Sequence, residues 1–428
     1  MNRISVICIL ILLFITLFAN NVKVISAETM PKTEFSITPE SYSGGTTVVE
    51  GITYLELPSD SSPMGIVYDN LTKVVWVALN GKYWVYNGSI AKIDVASKNC
   101  IIYTLPWDVG QGYRYPKPWT IAIDGDGNLW ITIRNYLNTP DHPPSTVPYL
   151  AKFNTTSKDF TMIWIPTELA GGSDITYYQN YIWYMSPNAL AKINYTTNTV
   201  VESHIKNFYG EGYLKADKGC IWMTSVMGNF TTRFNMTSKN FDVNLTGFDR
   251  PLGIEVDSDF VYVAENSGTT GKMGTIAKIN KADFTVSRIN TTLITREGPY
   301  HVHKDSDGNL WWTDNSGHVG YFETTGILTT KNAIGPCCYF MTDVLNSSVW
   351  FSCVGSAHIG IPKRVVEHDI DRDGDIDQFD YWAFCGAFID YYEIHVLDER
   401  CDFDVDLDID AHDFWSVCGA FIDYWKIH

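Results

Sequence analysis

Basic residues are in short supply in this chain: 31 Lys and Arg stand against 49 Asp and Glu in 428 residues, a formal charge of −18. No Lys/Arg stripe offers phosphates a track, so no nucleic-acid partner is expected. Long apolar runs are nearly absent as well. The one present, Ile4–Ala19, follows a basic residue and precedes the small pair Ser26-Ala27. That order reads as a secretory leader over residues 1–27, cleaved near Ala27, and the run is slightly short for a spanning helix. With no second run, no membrane span is expected after cleavage. The mature chain is expected to be secreted or held at the cell surface.

Export gives the cysteines meaning. Cys8 leaves with the leader, and Cys100, Cys220, Cys337, Cys338, Cys353, Cys385, Cys401 and Cys418 remain. An even set in an oxidising compartment favours disulfides. Five precede Lys363 and three follow it, so either one bridge joins the two parts or each part keeps a free thiol. Cys220, two places before Trp222, reads as a buried thiol acting as a small hydrophobe. Nine Asn-x-Ser/Thr sites occur, at Asn70, Asn87, Asn154, Asn194, Asn229, Asn235, Asn244, Asn290 and Asn346. Most fall at expected turns, so glycosylation is expected at some of them.

From Pro63 to about Pro362 one pattern recurs. Apolar openings such as PMGIVYD (63–69), PWTIAID (118–124), PLGIEVD (251–257) and PYHVHKD (299–305) lead into tight turns, clearest in DGDGNLW (124–130) and DSDGNLW (305–311). A strand follows around Trp76, Trp130, Trp183, Trp222, Tyr262, Trp311 or Trp350. A third strand reads IAKID, LAKFN, LAKIN, TTRFN or IAKIN, and a fourth closes the unit. Four short strands per roughly 40 to 50 residues, repeated seven times, predict an all-β, seven-bladed β-propeller over residues 53–362. The seventh unit stops at HIGIPK without a fourth strand. TYLELP (53–58) resembles the fourth strand IIYTLP and is expected to supply it, closing the ring; residues 28–52 form an N-terminal extension.

The repeated P-x-G-I-x-x-D, D-x-D-G-x-L-W and I-A-K-I-D/N segments resemble the virginiamycin B lyase type of propeller over about 300 residues. The resemblance implies a lactone-opening elimination in which a His takes the α-proton and carboxylate-held Mg²⁺ stabilises the developing enolate charge. The matching positions here are His301 as the base, with Glu265 and Asp314 as Mg²⁺ ligands and Glu297 as a further candidate. Two departures stand out. Gly253 occupies the place of the family's second His, and Asp314 and then Cys353 stand where the family often has Glu. His301 and His303 also read as strand residues satisfied by neighbours around the channel. His318 and His358 read as rim residues, and Arg114 and Tyr115 as loop packing or rim contacts.

From Glu367 onward, eighteen Asp/Glu meet three Arg/Lys, so most of the net charge lies in this segment. Asp369, Asp371, Asp373, Asp375, Asp377 and Asp380 take places 1, 3, 5, 7, 9 and 12 of a twelve-residue loop, with Gly374 at 6 and Ile376 at 8. Alternate carboxylates of a tightly wound loop converge on six to eight oxygens, as Ca²⁺ requires. Asp402, Asp404, Asp406, Asp408, Asp410 and Asp413 repeat the pattern 33 residues later, and CGAFIDY recurs at the same offset. Leu407 replaces glycine at place 6, which predicts a weaker second site. A solvated acidic tail does not explain that duplicated apolar segment.

Asp at place 12, one helix after each loop and tandem duplication resemble a dockerin module, here a small helical domain over 369–428 after a linker at 363–368. The resemblance implies folding coupled to two Ca²⁺ and docking onto an extracellular, cohesin-like or other protein. Contact residues would be Gln378, Phe379, Ala411 and His412, with Trp382 and Trp415 as core or as anchors. The expected function is a calcium-binding, surface-attached propeller holding an unidentified ligand or partner at its face. The alternative is a secreted enzyme, a carbon–oxygen lyase of the virginiamycin B lyase type with Mg²⁺ in the channel.

Overall fold

The computed structural model describes residues 32–49, 51–81, 88–106, 116–134, 149–166, 169–266, 274–291, 298–322, 328–334, 338–344, 348–362 and 382–385. Its strands form seven antiparallel sheets, each with four core strands, arranged as the blades of a propeller. Blades 1 to 6 are each built from consecutive strands. Blade 5, for example, runs Pro251–Val256, Phe260–Glu265, Thr275–Asn280 and Val286–Asn290. The first strand of each blade packs on that of the next, and the first strand of blade 7 (Cys338–Val344) packs on that of blade 1 (Pro63–Asp69), completing the ring.

Blade 7 is the exception in chain order. Its Cys338–Val344, Ser348–Cys353 and His358–Pro362 are joined by β4 (Ile52–Glu56) from the other end of the propeller sequence. Leu57 N–H donates to Ala357 O at 2.9 Å just beyond that pairing.

Residues 32–49, expected only as an extension, form three further strands: β1 (Lys32–Ser36), β2 (Glu40–Tyr42) and β3 (Thr46–Val49). β1 pairs with the outer strand of blade 2, from Lys32↔Ile163 to Ser36↔Asp159. β2 pairs with the outer strand of blade 1, from Glu40↔Ile102 to Tyr42↔Cys100, and β3 lies outside β4 in blade 7. The extension thus laces blades 2, 1 and 7 in turn, covering three sheet edges whose backbone groups would otherwise be open to another strand.

The repeat motifs have physical causes. All seven second-strand aromatics are buried, each 6% exposed or less, and fill the space between sheets. In DGDGNLW, Asp124 accepts from Asp126 N–H at 3.0 Å, Asn128 N–H at 2.9 Å and the Trp130 indole N–H at 2.9 Å. Asp305 repeats this with Asp307, Asn309 and Trp311 at 3.1, 2.8 and 2.8 Å. Gly127 and Gly308 sit at φ +78° and +91° in these turns, a conformation that costs other residues strain. The Lys of I-A-K-I pairs across the ladder with the aromatic, as in Trp130↔Lys152 and Trp183↔Lys192. It lays its ammonium 5.2 and 5.4 Å from those ring centres.

By internal contacts the chain divides into two units, Met1–Thr47 with Tyr54–Gly360, and Val48–Thr53 with Ile361–His428. In the second unit, residues 382–385 form a helical turn with Trp382 60% exposed and Phe384 buried. The expected calcium loops at 369–380 and 402–413 lie outside the described residues, as do Gln378, Phe379, Ala411, His412 and Trp415.

Candidate functional site

Seven first-strand residues stand opposite the seven second-strand aromatics: Val67, Ala122, Thr176, Lys215, Glu255, His303 and Thr342. They change from apolar in blades 1 and 2 to charged or titratable in blades 4 to 6. There they form a continuous network. Glu255 Oε2 lies 2.9 Å from Lys215 Nζ and 3.0 Å from His303 Nδ1. Burial opposes its ionisation, but Lys215 and His303 outweigh burial and hold the Glu255 carboxyl far below the usual carboxylate range. His303 Nε2 and Asp343 Oδ1 are buried without a hydrogen-bond partner among the described residues. Burial raises the Asp343 carboxyl.

Two places earlier in each blade lies a second set, Gly65, Thr120, Asp174, Tyr213, Gly253, His301 and Phe340, with Tyr213 directly before its strand. Here aromatic packing dominates. Tyr213 and Tyr300 share a hydroxyl hydrogen bond of 2.7 Å. The His301 ring sits 6.3 Å from Tyr213 and 5.5 Å from Phe340, and Phe340 meets Trp119 edge-on at 6.3 Å. Burial drives the His301 imidazole down to about 3, with His303 adding to the effect. Its Nδ1 has no partner among the described residues. Asp174 is pushed up to about 6 by burial, although its carboxylate accepts from Leu214 N–H at 2.9 Å. Arg134 stacks over Trp119, 3.7 Å from the ring centre, and its Nη1 reaches Glu211 at 2.6 Å.

The carboxylates expected to hold Mg²⁺ point to other partners. Glu265 and Asp314 do end equivalent second strands, opposite Pro251 and Pro299. Glu265, however, is gripped by Arg288 at 2.7 and 3.0 Å and also accepts from Thr275 Oγ1 at 2.5 Å and Asp249 N–H at 3.2 Å. Asp314 accepts from the backbone N–H groups of Ser316 and His318 at 2.9 and 2.8 Å and lies 2.9 Å from His318 Nδ1. Among the described residues, no group of three or more His, Cys, Asp or Glu side chains is placed to hold a metal ion. Gly253 is required by close approach: a Cβ there would lie 2.6 Å from His301 Cα, so this set has no room for a second His. Arg114, Tyr115 and Glu297 lie outside the described residues.

Other expectations sort by local structure. Cys220 is only partly covered, because it opens its strand directly after the Lys218-Gly219 turn. Cys100 is buried, and burial pushes its thiol up to about 12. Of the Asn-x-Ser/Thr sites, Asn70, Asn154, Asn229, Asn244 and Asn290 are exposed, while Asn194 and Asn235 are intermediate. Asn87 and Asn346 lie outside the described residues. Asn154, Asn194 and Asn235 each accept two backbone N–H groups two and three residues on, at 2.9 to 3.1 Å. These Asx turns account for Asn at the end of the third strand independently of any glycan.

Lys215, Glu255, Asp343, Asp174 and Arg134 were not singled out from sequence. Comparing the residue two places before the last Asp of each opening strand across blades would have exposed the Glu255–His303 pair, since Val67 and Ala122 hold that place in blades 1 and 2.

No protein-family model matches the sequence, and comparison with curated proteins gives no match. Solved structures do resemble it. Hydrazine synthase of Kuenenia stuttgartiensis superposes with a TM-score of 0.58 at 12% identity, over 72% of this chain and 97% of that one. The WD40 propeller domain of Doa1 gives 0.53 at 9% identity, over 76% and 97%. The extracellular domain of the putative one-component system BT4673 of B. thetaiotaomicron gives 0.51 at 10% identity, over 76% of this chain and 42% of that one. At such identities the likeness is one of fold alone, and these propellers carry different names and roles.

Proposed function

We propose that the chain is a secreted or cell-surface calcium-binding protein whose propeller holds a ligand or partner and whose dockerin-like tail mediates attachment. One observation carries this reading: the two acidic loops at 369–380 and 402–413 place Asp at 1, 3, 5, 7, 9 and 12 in identical register, 33 residues apart. Such a loop repels itself without a cation, so ordering of the tail is linked to calcium. Exposed Trp382 gives that unit an apolar contact suited to a protein partner. The propeller offers binding chemistry at the Lys215–Glu255–His303 network and the neighbouring aromatic set.

A second reading, Mg²⁺-dependent lactone opening of the virginiamycin B lyase type, draws support from the unpartnered Nδ1 of His301. Against it stand the engaged carboxylates of Glu265 and Asp314 and the crowding at Gly253. Limited proteolysis of the leaderless chain tests the leading reading. With calcium the tail is expected to resist cleavage, and with chelator it is cut near residue 363 while the propeller survives both conditions. Identical cleavage with and without calcium would sink the proposal.

A further inference from the structure

We infer that Cys338 and Cys353 form a disulfide that pins the inner hairpin of blade 7. The two residues are Cα register partners on adjacent antiparallel strands. Both are fully buried, and their Sγ atoms lie 3.6 Å apart.

The same pair of positions can be followed through other blades, where it holds Pro63↔Leu79, Pro251↔Glu265 and Pro299↔Asp314. In blades 1 and 5, the residue after this pair donates back to the residue before it, Asn80 N–H to Ser62 O at 3.0 Å and Asn266 N–H to Arg250 O at 3.3 Å. That pattern marks a non-hydrogen-bonded pair, where facing Cα atoms lie about 4.5 Å apart and side chains approach most closely. About 4.5 Å falls inside the Cα separation a disulfide accepts. Among the pairs compared, blade 7 alone has cysteine at both positions, so the two thiols replace a Pro–X pair together.

The location gives the bond its use. Blade 7 is the blade in which β4 joins strands from the far end of the propeller sequence. A link across its first two strands holds the platform on which that closure is built. The chemistry balances with a disulfide oxidant such as oxidised glutathione. One thiolate attacks the glutathione disulfide and releases one glutathione. The second thiolate then displaces the other, so two thiols lose two protons and two electrons and two glutathione thiols form.

The test uses the full chain without its leader, reduced and then refolded in a glutathione redox buffer, so that burial does not limit access. After alkylation under denaturing conditions, peptide mapping is expected to recover the Cys338 and Cys353 peptides as one linked species, two hydrogen atoms lighter than the separate thiol forms. Cys337 adjoins Cys338, so the same mapping on Cys337→Ala is expected to retain the link; fragmentation between 337 and 338 reads the assignment directly should that variant fold poorly. Recovery of both thiols alkylated, or of Cys353 linked to Cys337 or to any other cysteine, would overturn the assignment.

Discussion

Arg288, on the outer strand of blade 5, holds Glu265 with two hydrogen bonds, Nε to Oε2 at 2.7 Å and Nη2 to Oε1 at 3.0 Å. Glu265 is 1% exposed, whereas the Arg288 side chain is 42% exposed. The pair therefore acts chiefly to compensate a carboxylate that the fold has buried. Arg288→Ala leaves that charge unpaired and is expected to cost about 2–3 kcal/mol, discounted from a fully buried pair because the arginine reaches solvent. Arg288→Lys keeps the charge but loses the two-pronged geometry and falls between. Urea unfolding measures this; an unchanged midpoint in Arg288→Ala would mean that Glu265 is not held as described.

Asp305 and Asp124 tie each D-x-D-G-N-L-W turn to the buried Trp of the next strand. Asp305→Ala leaves the Trp311 indole N–H and two turn amides without their acceptor. The expected loss is about 2–4 kcal/mol, and less in Asp305→Asn, which keeps an acceptor oxygen. Comparison of chemical-denaturation midpoints decides it, with equal midpoints for the Ala and Asn variants counting against this role.

Asp174 and His301, at equivalent positions in blades 3 and 6, respond to pH in distinct ways. Burial lowers His301 to about 3, so its contribution is fully present above the unfolded value near 6.5 and is lost as pH falls towards about 3. Burial raises Asp174 to about 6, so its contribution is present below about 4 and is lost as pH rises through about 6. His301 ring protons followed by NMR are expected not to shift between pH 7 and about 5, where an ordinary His titrates. A midpoint near 6.5 would show that the ring is solvated. Asp174→Asn is expected to gain stability relative to the parent at pH 8 and to lose that advantage near pH 4.

The architecture was legible because it is written in repeated, physically required residues. Asp124 and Asp305 are needed by their turns, Gly127 and Gly308 by their positive φ, and Trp130 and Trp311 by the gap between sheets. The pairing of the N-terminal extension is not legible in the sequence. KTEFS, ESY and TTVV carry no repeat, and β1 and β2 dock by backbone pairing on edges that already exist. The candidate site was half legible. His301 and His303 stand out in the sequence as residues, but Lys215 and Glu255 acquire meaning only when blades 4, 5 and 6 come side by side. Glu265 and Asp314 end equivalent second strands, and a sequence cannot display Arg288 or His318 beside them, since those partners come from other strands of the same blade.

Calorimetry with Ca²⁺ and with Mg²⁺, on residues 28–428 and on residues 28–362, tests the central claim most directly. The expected result is Ca²⁺ uptake by the full chain in two steps, the weaker assigned to the loop carrying Leu407, and no uptake of either ion by the shortened chain. The claim is contradicted if the full chain takes up no Ca²⁺. It is equally contradicted if the shortened chain binds Mg²⁺ and loses it on Glu265→Ala or Asp314→Ala, which would place the metal chemistry in the propeller.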